Sequence, residues 1–467
     1  MIFSHNTKKI IKGYYEIIEK RKKDIIEMLL EFQVENYLSF REKATLNMIA
    51  SSSATSKKES LDSVINIGKY KILSSAALYG ANASGKSNFL AAIHFMRDFI
   101  LVSAHQTQID KKIKNSHFKF NSACDNQPST FEMVFLVRGV EYENISQDVV
   151  FRYGFQVDRS KVCAEWLFGR FTTQESRLFS RVGDEIIIGD KFIEGKKVYK
   201  ATGKIAKTTL FLSLIDYIKG ENTLITSKII DWVSKVVNLS PIADSRYSGI
   251  TSDIMSNKDM KKQIIQAFCL ADICIEDFKV EKELIDLETL PIDIKSDIEK
   301  HGSQPIHKIS VKSFHKKYNK DKEEIGIEQL DFDKEESAGS QKFFAIIGPI
   351  LDALKIGLVI VIDEIDARLH PKLCELLIRL FNSKKTNINN AQLIFATHNT
   401  LIMHRRMLRR DQIYFVEKDK HGESELYSLL DYKKVRSDAS YDKDYLLGKY
   451  GAIPFLGDFE SFLVGDK

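Results

Sequence analysis

Hydrophobic and polar positions along the chain alternate in some stretches, run unbroken in others and recur at helical spacing elsewhere. From Leu29 the stretch LLEFQVENYLSF alternates, and ATLNMIA follows it, which predicts a pair of strands. The runs Ile72–Leu78, Leu358–Ile362 and Gln392–Ala396 are largely apolar throughout, the pattern of strands buried on both faces of a parallel sheet. FEMVFLV, VVFRYGFQV, AEWLFGRF and EIIIG, between Thr130 and Gly189, are short, mostly aromatic-rich and separated by turn residues, and predict an antiparallel β-lobe. Helical spacing appears after Lys86 (Phe89, Ile93, Phe95, Met96, Phe99), between Phe343 and Leu354, and between Leu373 and Phe381. Gly357 closes the second of these helices and Pro371 opens the third.

These patterns predict an α/β fold with a mostly parallel central sheet, an antiparallel β-lobe and a helical insertion. Residues 195–325 form the insertion: SKIIDW, WVSKVV and MKKQIIQAF have helical period, and the polar stretch Lys312–Glu324 reads as a flexible loop on a helical arm or lid. No heptad persists over three or four repeats, so a long coiled coil is not expected. Residues 28–194 and 326–467 are the two halves of the main domain. Residues 51–68 read as a polar loop, and QIYFVEK and SELYSLL as two late strands. Residues 1–27 read as an amphipathic basic extension, either a dispensable segment upstream of a natural start at Met28, which is the favoured reading, or a basic membrane-surface or partner helix.

Composition narrows the class. The chain has 467 residues, 43% of them hydrophobic and 28% charged, as in a water-soluble globular protein. No run of eighteen apolar residues occurs, so no membrane-spanning helix is expected. Five scattered cysteines without a CxxC pair suggest reduced thiols in a cytoplasm. Net charge is +5, but residues 1–27 carry seven basic residues against four acidic ones, which leaves about +2 elsewhere. Charge of that size does not by itself argue for nucleic acid.

The chemistry centres on LYGANASGKSN. Gly80 to Ser87 reads G-x-x-x-x-G-K-S, between a strand and a helix as a phosphate-binding loop requires. Gly80, Ala81, Asn82, Ala83, Ser84, Gly85, Lys86, Ser87 and Asn88 are the candidate nucleotide contacts. Lys86 reaches the β- and γ-phosphates and Ser87 holds Mg²⁺. Downstream, LVIVIDEID delivers Asp363 and Glu364 to the carboxyl end of a buried strand, where ligands of parallel sheets bind. Asp363 is the second Mg²⁺ ligand, acting through water, and Glu364 polarises the attacking water. His398, at the end of another buried strand, senses or stabilises the γ-phosphate. The catalytic set expected is Lys86, Glu364 and His398, acting on ATP with Mg²⁺.

GANASGKSN, ESAGSQ, LVIVIDEID and ATHNT resemble the Walker A, signature, Walker B and switch-histidine motifs of ABC-type ATPase heads, the group containing the SMC, Rad50 and RecF proteins. ENYLSF resembles the first strand of those heads. More narrowly, DEIDARLHP, ATHNTLIM, RRDQIYFVEK and LLGKYGAIPFLGDF resemble ATPases of bacterial abortive-infection systems of the AbiL or RloA type. The resemblance implies a P-loop NTPase of the ABC-head type, with Ser337, Gly339 and Gln341 as signature residues. Ser337 and Gly339 would contact the nucleotide held by a second copy, giving a homodimer around two ATPs. Asn82 would approach the γ-phosphate, and Asp366 would lie near the D-loop that crosses the dimer interface. SAGSQ departs from the usual LSGGQ at Ala338 and Ser340, and Gln127, Gln147 and Gln156 all remain candidates for the Q-loop glutamine.

The function implied is an ATP-hydrolysing switch that controls a separately encoded toxin or nuclease in anti-phage defence. The competing readings are an SMC/RecF-like DNA-binding ATPase in repair, for which Lys111–Lys119 and Lys312–Lys322 supply basic segments, and a nuclease of the overcoming-lysogenisation type. The latter lacks an evident Glu and Asp-x-Asp metal set, and the tail after His398 is short for a Toprim domain.

Overall fold

The alternating stretch forms β1 (Met28–Glu35), which pairs antiparallel with β2 (Ala44–Asn47) as its pattern predicts. In the computed structural model, residues 27–54, 62–105, 112–142, 145–218, 224–239, 244–284, 307–432 and 439–454 are described. The extension, apart from Glu27, and part of the 51–68 loop lie outside them, as do Lys111 and residues 455–467. The chain forms two units: Met28–Lys228 with Ile394–Lys467, and Met1–Glu27 with Ile229–Leu393. These boundaries differ from those drawn at 194 and 325, because chain order does not reveal which segments pack together.

In the first unit a hairpin of β3 (Val64–Ile67) and β4 (Tyr70–Leu73) precedes β5 (Ser75–Tyr79), every residue of which is buried. Helix α1 (Lys86–Val102) follows. The four runs become β6 (Ser129–Tyr142), β7 (Ile145–Val157), β8 (Val162–Arg170) and β10 (Glu185–Ile188), and β9 (Ser176–Val182), which the pattern did not mark, lies between the last two; each is antiparallel to the next. β6 also pairs with β1, so the lobe and the first strand pair form one seven-stranded sheet. α1 packs its rings onto this sheet, with Phe95 and Phe131 centred 4.9 Å apart and Phe99 and Phe155 5.4 Å apart. Such pairs add about 0.5–1.5 kcal/mol each beyond the area they bury.

Two short helices, α2 (Ile193–Thr202) and α3 (Phe211–Ile218), close this region. The first amides of α3 lack intrahelical acceptors, and Glu165 supplies them. Its carboxylate, fully buried, accepts from Phe211 N at 2.7 Å and Leu212 N at 3.0 Å. Tyr153 donates to it at 2.9 Å, and the buried Arg181 guanidinium lies 3.9 Å away. Burial pushes the Glu165 carboxyl above its ordinary range, against the opposing pull of Arg181 and the two amides.

α4 (Leu224–Ser234) leads into the second unit, where β11 (Val236–Leu239), α5 (Asp244–Ile254) and α6 (Lys258–Leu270) follow. Then come β12 (Asp277–Leu284), β13 (His307–Tyr318) and β14 (Glu324–Asp331), an antiparallel three-stranded sheet. The insertion is therefore partly β, and Lys312–Glu324, expected as a loop, lies mostly on its hairpin. Charged residues on both faces of β14 hide the strand period from the sequence. Lys312, Lys316 and Lys317 pair across the hairpin with Asp331, Glu324 and Glu328.

The short α7 (Phe332–Glu335) and the long α8 (Ala338–Ile356) precede β15 (Val359–Ile362), which runs parallel to β11. α9 (Pro371–Asn382) and β16 (Gln392–Ala396) follow. Gly357, at φ +74°, caps α8, and Pro371 opens α9, both as expected. α8 packs closely on α5: a Cβ on Gly348 would lie 2.4 Å from Thr251 Oγ1, which donates to the Phe344 carbonyl at 2.8 Å. Glu27 is buried in an ion pair with buried Lys235, so the end of the N-terminal extension belongs to this unit's core.

The first unit resumes at Ile394, within β16, and continues with β17 (Ile413–Lys418), parallel to β5, then β18 (Ser424–Ser428), antiparallel to β17, and α10 (Tyr441–Leu446). The described residues contain no helix long and apolar enough to cross a membrane.

Two substitutions test these buried ion pairs. Glu165→Ala removes the carboxylate that faces Arg181 and accepts from the α3 amides, and Glu27→Ala removes the buried carboxylate that faces Lys235. Each should lower stability by about 3–5 kcal/mol, read as a fall in the urea midpoint.

Candidate functional site

β5 ends at Tyr79, and the chain turns at Gly80 under a close constraint. A Cβ there would lie 2.3 Å from the Val416 carbonyl oxygen and 2.7 Å from Ser84 Oγ. Ala83 has φ +59° and Gly85 φ +117°. A Cβ on Gly85 would come within 2.5 Å of Ser424 Oγ and 2.8 Å of Ser39 Oγ. Only glycine serves at both ends of the loop, as the spacing implies. α1 begins at Lys86 with no side-chain cap and no acidic residue in its first turn. Its leading amides and positive dipole end suit an anion.

Lys86 is buried, and its ammonium donates to the carbonyls of Gly80 and Ala81, both at 2.9 Å. The cation thus lies across the loop that a phosphate would enter. Behind the loop, Ser424 Oγ donates to the Ser84 carbonyl at 2.6 Å, Ser424 N to the Ser39 carbonyl at 2.7 Å, and Asn88 Nδ2 to Ser39 Oγ at 2.8 Å. Sequence reasoning missed Ser39 and Ser424 as supports. ENYLSF contains Ser39 and offered a signal, whereas nothing around Ser424 marks it.

Asn36 fixes the turn that carries Ser39. Its amide donates to the Gln127 carbonyl at 2.9 Å, and its oxygen accepts from Phe118 N at 3.1 Å. Gln127 therefore sits in a loop tied to the phosphate-loop side. Gln147 and Gln156 lie on β7, the latter donating to Thr130 Oγ1 at 3.3 Å. His398 is exposed just beyond β16. Its neighbour Thr397 is buried and donates from its amide to the Leu78 carbonyl at 3.1 Å. This places the start of the histidine turn level with a residue two positions before Gly80.

The second unit holds the other candidates. Asp363 and Glu364 follow β15, and Asp363 N donates to the Leu239 carbonyl at 3.1 Å. Asp363 Oδ1 is buried without a hydrogen-bond partner among the described residues, which fits a group awaiting a cation or its water. Glu364 is exposed at φ +48° and Arg368 has φ +62°. Non-glycine residues in that region cost about 1–3 kcal/mol each and gather at functional sites. Ala367 N donates to the Glu364 carbonyl at 3.0 Å and Leu369 N to the Asp366 carbonyl at 3.2 Å, which tightens the turn. Beneath it, burial and then the charge of Asp366 push the Cys374 thiol up to about 12, so this sulfur stays a neutral core group.

Ser337 caps α8, its Oγ accepting from Ser340 N at 3.0 Å. Ser337 is exposed. Gly339 lies so near the turn after Asp366 that a Cβ would be 3.2 Å from the Arg368 carbonyl. Gln341 donates to the carbonyls of Phe332, Asp333 and Glu336 at 3.1–3.2 Å, holding the approach to the helix. Glu336 meets Ser313 Oγ at 2.7 Å and His315 Nε2 at 2.6 Å, which ties the three-stranded sheet to the start of the signature segment.

The structure thus brings Gly80–Asn88 and the chain leading to His398 together in one unit. In the other it joins Ser337 and Gly339 to the turn that follows Asp363 and Glu364. Among the described residues no three His, Cys, Asp or Glu side chains converge as a metal cage. Mg²⁺ held by one or two protein oxygens, with phosphate and water completing its shell, needs none. Gly85→Ala should weaken binding of a fluorescent ATP analogue by about 10²-fold, because the new Cβ displaces Ser39 and Ser424 from beneath the loop; titration of the purified chain measures it.

Among solved structures the chain is similar to the SMC head domain from Thermotoga maritima, at 13% identity and a TM-score of 0.35, covering 86% of this chain and 98% of that one. It is likewise similar to the recombination mediator protein RecF-ATPrS, at 12% identity and a TM-score of 0.35, with 86% and 98% covered. A third is the Smc head domain with an extended coiled coil, bound to the C-terminal domain of ScpA, from Pyrococcus furiosus. It shows 12% identity and a TM-score of 0.38, with 86% and 96% covered. Similarities at this level carry no function across. No curated protein matches the chain. The family described as "AAA domain, putative AbiEii toxin, Type IV TA system" matches residues 75–404, from β5 through the histidine turn. The resemblance read from the motifs is borne out at the level of the family, and with most of its length matched the chain belongs to this AAA-domain family.

Proposed function

We propose that the chain is an ATP-hydrolysing switch, two copies of which close around two ATPs and open on hydrolysis to control a separately encoded toxin or nuclease in anti-phage defence. The observation that carries this reading is the phosphate loop itself, where neither Gly80 nor Gly85 admits a Cβ and an uncapped helix begins with Lys86 and Ser87. Membership of a family described by a type IV TA system supports the defence role.

The roles follow from the chemistry of each group. Loop amides from Ala81 to Asn88 receive the phosphates, and Lys86 exchanges its two carbonyl acceptors for phosphate oxygens. Ser87 and Asp363 hold Mg²⁺, which would neutralise charge developing on the phosphates. Glu364 accepts a hydrogen bond from the attacking water and orients it, and His398 contacts the transferred phosphate. Ser337 and Gly339, exposed or half-exposed at an N-terminal helix end, serve the nucleotide of the second copy. Five unpaired cysteines suit a reducing cytoplasm.

A DNA-binding ATPase is the second reading. The cross-hairpin ion pairs of Lys312, Lys316 and Lys317 count against it, since lysines already matched by carboxylates release few phosphate counterions.

Sedimentation and phosphate-release assays test the switch. Wild type should dimerise with ATP and hydrolyse it. Glu364→Gln should bind ATP and stay dimeric while turnover falls about 10²–10³-fold, and Lys86→Ala should lose dimerisation. Phage protection unchanged in both variants would overturn the defence role, and ATP-strengthened, salt-sensitive DNA binding would favour the second reading.

A further inference from the structure

The segment AlaSer-YDKDYLLGKYGA, residues 439–452, has no part in the chemistry above, yet it grips the strand against which the phosphate loop turns. β17 runs beside β5 with Phe415 opposite Tyr79, the last residue before Gly80, and the next carbonyl, of Val416, is the one Gly80 abuts. Phe415 is stacked by Tyr445, centroids 5.4 Å apart and planes 17° apart, and by Tyr450 at 5.7 Å and 27°. Tyr445 also reaches Tyr79, 6.2 Å between ring centres. Glu417, on the other side of Val416, lies 2.8 Å from the Tyr427 hydroxyl, which in turn is 2.8 Å from the Tyr450 carbonyl. Tyr432 donates to that same carbonyl at 2.8 Å, and Tyr445 to the Ala452 carbonyl at 3.0 Å.

Close packing leaves this clamp little freedom. Gly451 has φ +65°, and a Cβ there would lie 2.6 Å from Glu417 Oε2 and 2.7 Å from the Tyr427 hydroxyl. Phe415, Tyr79, Tyr445 and Tyr450 are all buried. The segment is also tied to the chain leaving His398, where Arg405 Nε donates to the Ala439 carbonyl at 3.0 Å and its guanidinium lies 5.2 Å from the Tyr441 ring centre.

We infer that residues 439–452 are a positioning element for the phosphate loop, with Tyr445 as the central positioning residue: its ring fixes Phe415 and Tyr79, hence the Val416 carbonyl and the turn at Gly80. The clamp touches no phosphate. It sets the backbone whose amides do, so its loss is felt as weaker nucleotide binding in a chain that remains folded. A loop displaced by about 1 Å loses on the order of 10²-fold in a well-oriented site, and partial loosening loses less. The consequence for nucleotide rests on the proposed ATP site; the consequence for the loop's own order does not.

The test uses the full chain as wild type, Tyr445→Leu and Tyr445→Phe, the last keeping the stacked ring while losing the hydroxyl. Amide hydrogen exchange without nucleotide should be about tenfold faster for peptides covering 80–90 in Tyr445→Leu, with α9 peptides unchanged and Tyr445→Phe close to wild type. Titration with a fluorescent ATP analogue should show affinity about tenfold weaker in Tyr445→Leu and within about twofold of wild type in Tyr445→Phe. Exchange at 80–90 that is unchanged, or that rises equally in α9, overturns the positioning role. Wild type that binds no ATP overturns the proposed ATP site instead, and the exchange comparison still decides the clamp.

Discussion

The close approach of Gly80 to the Val416 carbonyl is the contact on which the rest of the phosphate-loop unit depends. A loop that presents successive backbone amides to one anion must curl tightly, and its outer side then presses on whatever supports it. Here that support is backbone on one flank and the small hydroxyls of Ser39 and Ser424 on the other. Larger side chains at either support would occupy the space the loop needs. The surrounding order follows: β5 is buried along its whole length, β17 pairs with it in register, and an aromatic layer locks β17 in place.

The carboxylates of the second unit are held on a different principle. Asp363 and Glu364 leave a parallel strand at its carboxyl end, and the chain then bends through two left-handed non-glycine residues, Glu364 and Arg368. Such conformations persist only where neighbouring contacts over-determine them. Carbonyl acceptors within the turn and the close seat of Gly339 on Arg368 provide that determination. The start of α8 and the carboxylate turn thereby form one close-packed piece. Through Glu336 that piece is joined to the three-stranded sheet of the insertion.

Much of this was legible beforehand because local rules sufficed. Strand, glycine loop and helix could be placed from LYGANASGKSN alone, since the loop's chemistry demands glycine at set intervals and a helix start after the second. Buried parallel strands announced themselves as apolar runs, Gly357 and Pro371 marked helix ends, and the antiparallel lobe showed in its aromatic spacing. The hairpin of β13 and β14 did not show. Its lysines and carboxylates pair across the strands, and these look like an unstructured charge run when the partners' register is unknown.

By itself, then, the sequence determined the α/β class, the glycine-framed loop between a strand and a helix, and which groups stand as candidates for the chemistry, because each is written in residues near one another in the chain. Tertiary structure alone decided the supports: Ser424 beneath Gly85 and a tyrosine clamp behind Gly80, and, away from the site, Glu165 capping a helix some forty-five residues downstream and Glu27 neutralising Lys235. Supports of this kind need only the right size or the right polar atom at a point in space. The immediate neighbours of Ser424, Glu165 and Glu27 do not distinguish them from residues that support nothing, and the motifs around Phe415 and Tyr450 show a resemblance without showing that the two rings meet.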